Sequence, residues 1–157
     1  MSILVAVLLQ ATGSALTCPL DRPYDPTNPF ARILRNEAPA ARIAETRDMI
    51  AIVPIEWEYP GHALVIPRRA VRSLDDMTPT ELAHALELAR RVGAAQRRAF
   101  GATGYTVTQN NGRAQHVCHV HFHVIPNTPT DKTKATFAAM QAIADRLRAA
   151  MDQAGTP

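Results

Sequence analysis

An α+β domain, with roughly five antiparallel strands, a long central helix and a C-terminal helix, is predicted by three features of the 157-residue sequence. Short apolar or alternating runs recur between turn residues, which is the pattern of strands joined by tight connections. Two longer segments carry helical periodicity, and one of them has explicit start and stop signals. Connections are too short for crossover units, so the strands are expected to pair antiparallel with the helices packed on them. Apolar and charged fractions of 46% and 20% are ordinary for a soluble chain, and the length suits one domain able to bury a core.

Taken in order, the chain opens on a charge-free segment, Met1 to Thr17, with an apolar run from Ile3 to Leu9 and small residues at Gly13, Ser14 and Ala15. It has the outline of a secretory signal peptide, yet no Lys or Arg precedes the run, and the run is too short to span a bilayer stably. A cleaved signal and an irregular extension docked on the domain both stay open, and so do cytoplasmic and exported locations. Pro19 to Pro29, rich in Pro and Asp, reads as a linker. Residues 1–27 are therefore set apart as an extension, 28–152 as the domain and 153–157 as a tail. Of the two cysteines, Cys118 is expected as a buried free thiol, and pairing with Cys18 is not expected.

Strands are expected at Arg42 to Glu45, Met49 to Val53, His62 to Ile66, Tyr105 to Gln109 and Val117 to Ile125. Thr78 with Glu81 three residues on forms a capping box, Pro79 suits a first helical position, and Gly101 stops the helix. Leu82, Leu86, Ala89 and Val92 form its expected apolar stripe, and His84 falls off it as a solvated residue. A second helix is expected from about Lys132 to Asp152, with Phe137, Met140, Ala144, Leu147 and Met151 on one side.

Four of the six histidines fall between Gln115 and Pro126. Alternation on a strand puts His119, His121 and His123 on one face and Val120, Phe122 and Val124 on the other. Such a row suits two chemistries, a metal site and a phosphate-handling site. Alternate residues on a strand stand roughly 7 Å apart, too far for three to meet on one ion without other ligands. No Asp or Glu lies between Gly101 and Thr130, and Cys118 points to the opposite face. A net charge of +3 and arginines such as Arg68, Arg69, Arg72, Arg90 and Arg91 are compatible with anionic substrates. With one Trp and few aromatics there is no stacking platform for single strands, and no nucleic-acid partner is expected.

The stretch from Asn110 to Pro126, NNGRAQHVCHVHFHVIP, resembles the signature of the histidine triad (HIT) family of nucleotide hydrolases and transferases. His119-Val120-His121-Phe122-His123-Val124-Ile125 matches the family pattern of histidines alternating with apolar residues. Asn28 to Glu45 resembles the family's opening helix and first strand, and Pro60 to Arg69 its central strand with a fourth histidine, His62. Within the family the likeness is to the bacterial Hint-like branch. It implies a homodimer of HIT-like domains, a nucleotide substrate, a purine by expectation, and no metal or other cofactor. It also implies attack by His121 on the α-phosphate of a nucleoside phosphoramidate or dinucleoside polyphosphate, giving a nucleotidyl-histidine that water hydrolyses. His119, His123 and His62 would orient His121 and stabilise phosphoryl charge. Asn110, Gln115, His116 and Ile55 fall on substrate- or phosphate-contacting positions.

Several residues depart from the family pattern. Only Arg113 and Ala114 separate the Asn-Gly turn from Gln115, a shortened loop in which Ala114 replaces a usual Gly. His116 stands where a small hydroxyl residue is common, Asn127 where Arg often follows Ile-Pro, and Pro54 where an Asp usually holds the ribose. Glu56 or Glu58 are candidate replacements for that acid. These changes keep open a second function class, a nucleotide-binding or interaction module without catalysis.

Overall fold

The computed structural model of the chain describes residues 18–55, 59–129 and 136–153. It contains α1 (Pro29–Leu34), β1 (Ala41–Glu45), β2 (Met49–Val53), β3 (Ala63–Pro67), α2 (Pro79–Phe100), β4 (Tyr105–Gln109), β5 (Phe122–Pro126) and α3 (Phe137–Asp152). The strands form one sheet in the order β1-β2-β3-β5-β4, and every pairing is antiparallel. The α+β class, the five strands and the two long helices are those the sequence predicts.

All five residues of β2 and of β3 are buried, because both faces of the sheet are covered at its centre. Met49, Ala51, Val53, Ala63 and Val65 join the main core beneath α2 and α3, with Val120, Phe122 and Val124. Ile50, Ile52, Leu64 and Ile66 point the other way and pack with Phe30 of α1. The histidine row stands on this second face.

Thr78 and Glu81 close the expected capping box on α2, and Gly101 ends the helix in the left-handed conformation at φ 65°. The stripe is rotated from expectation: Ala85, Leu88, Ala89, Val92, Ala95 and Gln96 are buried, while Leu86 is 52% exposed. Ranking by hydrophobicity favoured Leu86, whereas close approach to the sheet selects small side chains. A Cβ on Gly93 would sit 2.5 Å from the ring of Tyr105. His84 is half-exposed as expected, and its Nδ1 lies 2.7 Å from Oδ2 of Asp48. Helix α3 begins at Phe137 behind a Thr136 cap, and residues 132–135 of the expected helix lie outside the described residues. Met140, Ala144, Leu147 and Met151 are buried as expected, but Phe137 is not.

Two corrections concern the histidine segment. The strand expected from Val117 starts only at Phe122. Beyond Phe122 the neighbouring β3 runs out at Pro67, which has no N–H to donate, and Val120 N–H donates instead to the carbonyl of Val71 at 2.9 Å. The inward and outward alternation of side chains survives without the ladder. Second, Cys18 and Cys118 form a disulfide with Cα atoms 5.2 Å apart, so neither is a free thiol. The expectation failed because the segment from Cys18, read as a linker, is laid on the domain. Carbonyls of Pro19 and Pro23 accept from the Arg72 guanidinium, and Cys18 N–H donates to the Gly112 carbonyl.

Candidate active site

Four histidines meet where β3 and β5 pair. Leu64 and His123 are register partners, which brings His62, just before β3, beside His123. Gly61 makes this entry possible with φ 92°, and any Cβ there would lie 2.7 Å from the Phe100 ring. The amide of Gln96, fully buried on α2, donates to the carbonyls of Gly61 at 2.9 Å and Val124 at 2.8 Å, tying both histidine-bearing segments to one helix.

Hydrogen-bond partners settle two of the ring tautomers. His121 Nδ1 is 2.8 Å from the carbonyl of His119 and must carry the proton. Its lone pair is therefore on Nε2. His119 Nε2 is 2.9 Å from the Pro67 carbonyl, so it too is protonated. The lone pair of His119 is left on Nδ1, where the Tyr24 hydroxyl donates at 2.6 Å. Both nitrogens of His119 are thus occupied. His62 Nε2 and His123 Nδ1 share a hydrogen bond of 3.0 Å. His121 lies edge-on between His123 and Phe30, with ring centroids 5.0 Å from each.

These imidazoles are neutral well below the usual histidine range. Burial drives His62 down to about 4, with a further push from His121. Burial also takes His119 to about 4, although its bond to the Pro67 carbonyl opposes the shift. His123 falls to about 4 through burial and then its neighbours His121, His62 and His116. His121 moves in the same direction for the same first cause, opposed by its bond to the His119 carbonyl.

A stability effect follows. The unfolded chain takes up these protons near pH 6.5 while the folded one refuses them until about pH 4. Stability from the neutral row is complete above pH 6.5 and is lost as pH falls through this interval. Between pH 7 and 5 each such histidine is expected to cost about 2 kcal/mol, since only about 1.5 pH units of its shift lie in that window. Unfolding in urea at both pH values checks it; an unchanged midpoint would contradict the burial of a neutral row.

The remaining expected residues are placed less uniformly. Asn110 is half-buried at the end of β4. Gln115 is fully buried, and its amide donates to the Arg72 carbonyl at 2.8 Å, so its side chain is turned into the protein. His116 is exposed at the rim, near enough that a proton on it opposes protonation of His121 and His123. Ile55 is 68% exposed beyond β2, next to a half-buried Pro54, while Glu56 and Glu58 lie outside the described residues. Among the described residues no group of three or more His, Cys, Asp or Glu side chains is gathered as a metal-ligand set. Sequence reasoning missed Tyr24, Phe30 and Arg72. The Phe-x-x-Ile spacing before β1 offered a signal for Phe30; nothing local marked the other two, whose partners lie some 50 to 95 residues away.

The sequence model described as the HIT domain matches residues 35–130. Adenosine 5'-monophosphoramidase hnt1 of Schizosaccharomyces pombe is 37% identical over 99 residues, covering 62% of this chain and 71% of that protein. A crystal structure of a HIT-like protein involved in cell-cycle regulation from Bartonella henselae superposes with a TM-score of 0.77 at 36% identity, covering 82% of this chain and 99% of that one. A zinc-bound histidine triad family protein from Mycobacterium smegmatis gives 0.72 at 32%, covering 80% and 93%.

Proposed function

This chain belongs to the HIT domain family, and on that premise we propose that it is a nucleotide hydrolase or transferase working through a covalent nucleotidyl-His121 intermediate. The observation that carries the reading is the Nδ1 bond of His121 to the His119 carbonyl, which leaves the Nε2 lone pair for attack. Nε2 attacks the α-phosphorus, the P–N bond forms, and the bond to the leaving group breaks. The departing amine or phosphate takes a proton, for which exposed His116 is the candidate donor. His123, backed by His62, donates to the phosphoryl oxygens as charge builds on them. Water then attacks phosphorus and gives its proton back to the group that protonated the amine, the P–N bond breaks, and a nucleoside monophosphate leaves a neutral His121.

The leaving group is an amine. Protonated imidazole and a protonated amine are comparably good leaving groups from phosphorus, so neither half-reaction is blocked. The S. pombe relative, a monophosphoramidase, supports that choice. The exposed Ile55 offers an apolar contact suited to a purine, and Pro54 brings no ribose acceptor. Adenosine phosphoramidate is expected to turn over faster than diadenosine polyphosphates, and to do so in the presence of a chelator. A panel scored for both binding and turnover checks this. Tight binding without turnover would favour the non-catalytic module, which the buried Gln115 side chain and Pro54 motivate.

The chain is further proposed to act as a homodimer. Strand β4 is an edge whose central residues are exposed, and pairing of two copies is one way to cover it. Sedimentation equilibrium at micromolar concentration is expected to give twice the chain mass; a monomer would count against this surface.

A further inference from the structure

The segment that the disulfide holds down ends on the histidine row, and none of the chemistry above uses it. We propose that Tyr24 is a positioning residue for His121, acting through His119, and that the strap from Cys18 to Asp25 exists to deliver its hydroxyl. The proposal deepens the nucleotidyl-transfer reading and rests on it for its kinetic consequence.

Three anchors fix the strap. The Cys18–Cys118 disulfide ties its start to the residue preceding His119. The guanidinium of Arg72, a residue only 7% exposed, donates to the carbonyls of Pro19 and Pro23. Asn28 caps α1 at the far end, its side chain accepting from Ala31 N–H at 2.9 Å. Between these anchors the Tyr24 ring meets His119 edge-on with centroids 5.5 Å apart, and its hydroxyl reaches Nδ1 at 2.6 Å.

The relay runs through two rings. A fully buried imidazole needs partners for both nitrogens, and the backbone supplies only one, the Pro67 carbonyl for Nε2–H. Without a donor at Nδ1 that lone pair is buried unpaired, so the ring tilts to find another partner, and the tilt moves the His119 peptide. That peptide's carbonyl is the group holding the Nδ1 proton of His121, and hence the lone pair on Nε2. Phe30 touches both rings, at 6.2 Å from His119 and 5.0 Å from His121 between centroids, so it fills space beside them but cannot donate. Tyr24 is the one hydroxyl that meets His119 among the described residues.

The test compares the full chain with Tyr24→Phe, which keeps the ring and removes the donor. Long-range nitrogen–proton NMR of the histidine rings is expected to show His119 protonated on Nε2 in both proteins, with its Nδ1 resonance shifted downfield in the variant as the lone pair loses the hydroxyl. With adenosine phosphoramidate, kcat is expected to fall about tenfold with KM unchanged, the effect of one hydrogen bond acting on the reacting centre. Identical His119 signals in the two proteins would overturn the proposal, as would an unchanged kcat or a loss confined to KM. If the parent protein turns over no nucleotide, the nucleotidyl-transfer reading falls, and the ring-nitrogen spectra alone decide for or against the clamp.

Discussion

Replacing His121 by alanine is expected to lower kcat for an adenosine phosphoramidate by at least about a thousandfold, because the nucleophile itself is removed and water must attack directly. Neighbouring imidazoles offer no substitute. Both nitrogens of His119 are engaged, and His123 and His62 bond to each other. Substrate affinity is expected to stay within about tenfold, since His121 contributes bonding to phosphorus only as the reaction proceeds. The same change removes a ring that is only 4% exposed, so a loss of about 1–3 kcal/mol in stability accompanies it. Initial rates and urea unfolding of the one variant separate the two effects. A loss below tenfold in kcat would remove His121 from the centre of the chemistry.

Removing the disulfide is the second large effect. Cys18 and Cys118 are separated by 100 residues, and closing a loop of that length restricts the unfolded chain by about 4–5 kcal/mol on the chain-entropy account. Cys18→Ser is expected to lower stability by about that amount, a large share of what a domain this size possesses. Treatment of the parent protein with a dithiol is expected to reproduce it, since exchange converts the disulfide to two thiols and the reagent to its own disulfide. Equilibrium unfolding of the oxidised, reduced and substituted proteins checks both statements. A difference under about 1 kcal/mol would mean that the strap adds little to the fold.

The fold was legible where local signals and periodicity agree. The Thr78-to-Glu81 box, Gly101 and the continuous apolar runs of β2 and β3 needed no tertiary information. The facing of His119, His121 and His123 was also readable, because alternation of side chains outlasts the loss of ladder bonds before Phe122. What stayed hidden depends on distant partners. Leu86 reads as core until the close approach of α2 to the sheet makes alanines and Gly93 the packing residues. The segment after Cys18 reads as linker because Pro and Asp suit turns, and its anchor Arg72 resembles any solvated arginine. Gln115 has the spacing of a contact residue, yet its side chain serves the Arg72 carbonyl.

The proposed chemistry requires a covalent bond between His121 Nε2 and phosphorus. In a single-turnover reaction with adenosine phosphoramidate, quenched in base because acid cleaves phosphoramidates, peptide mass spectrometry reads the modified residue directly. The expected result is one nucleotidyl group on His121 that appears and decays at rates consistent with turnover. Turnover with no adduct on His121, or with the adduct on another histidine, would contradict it.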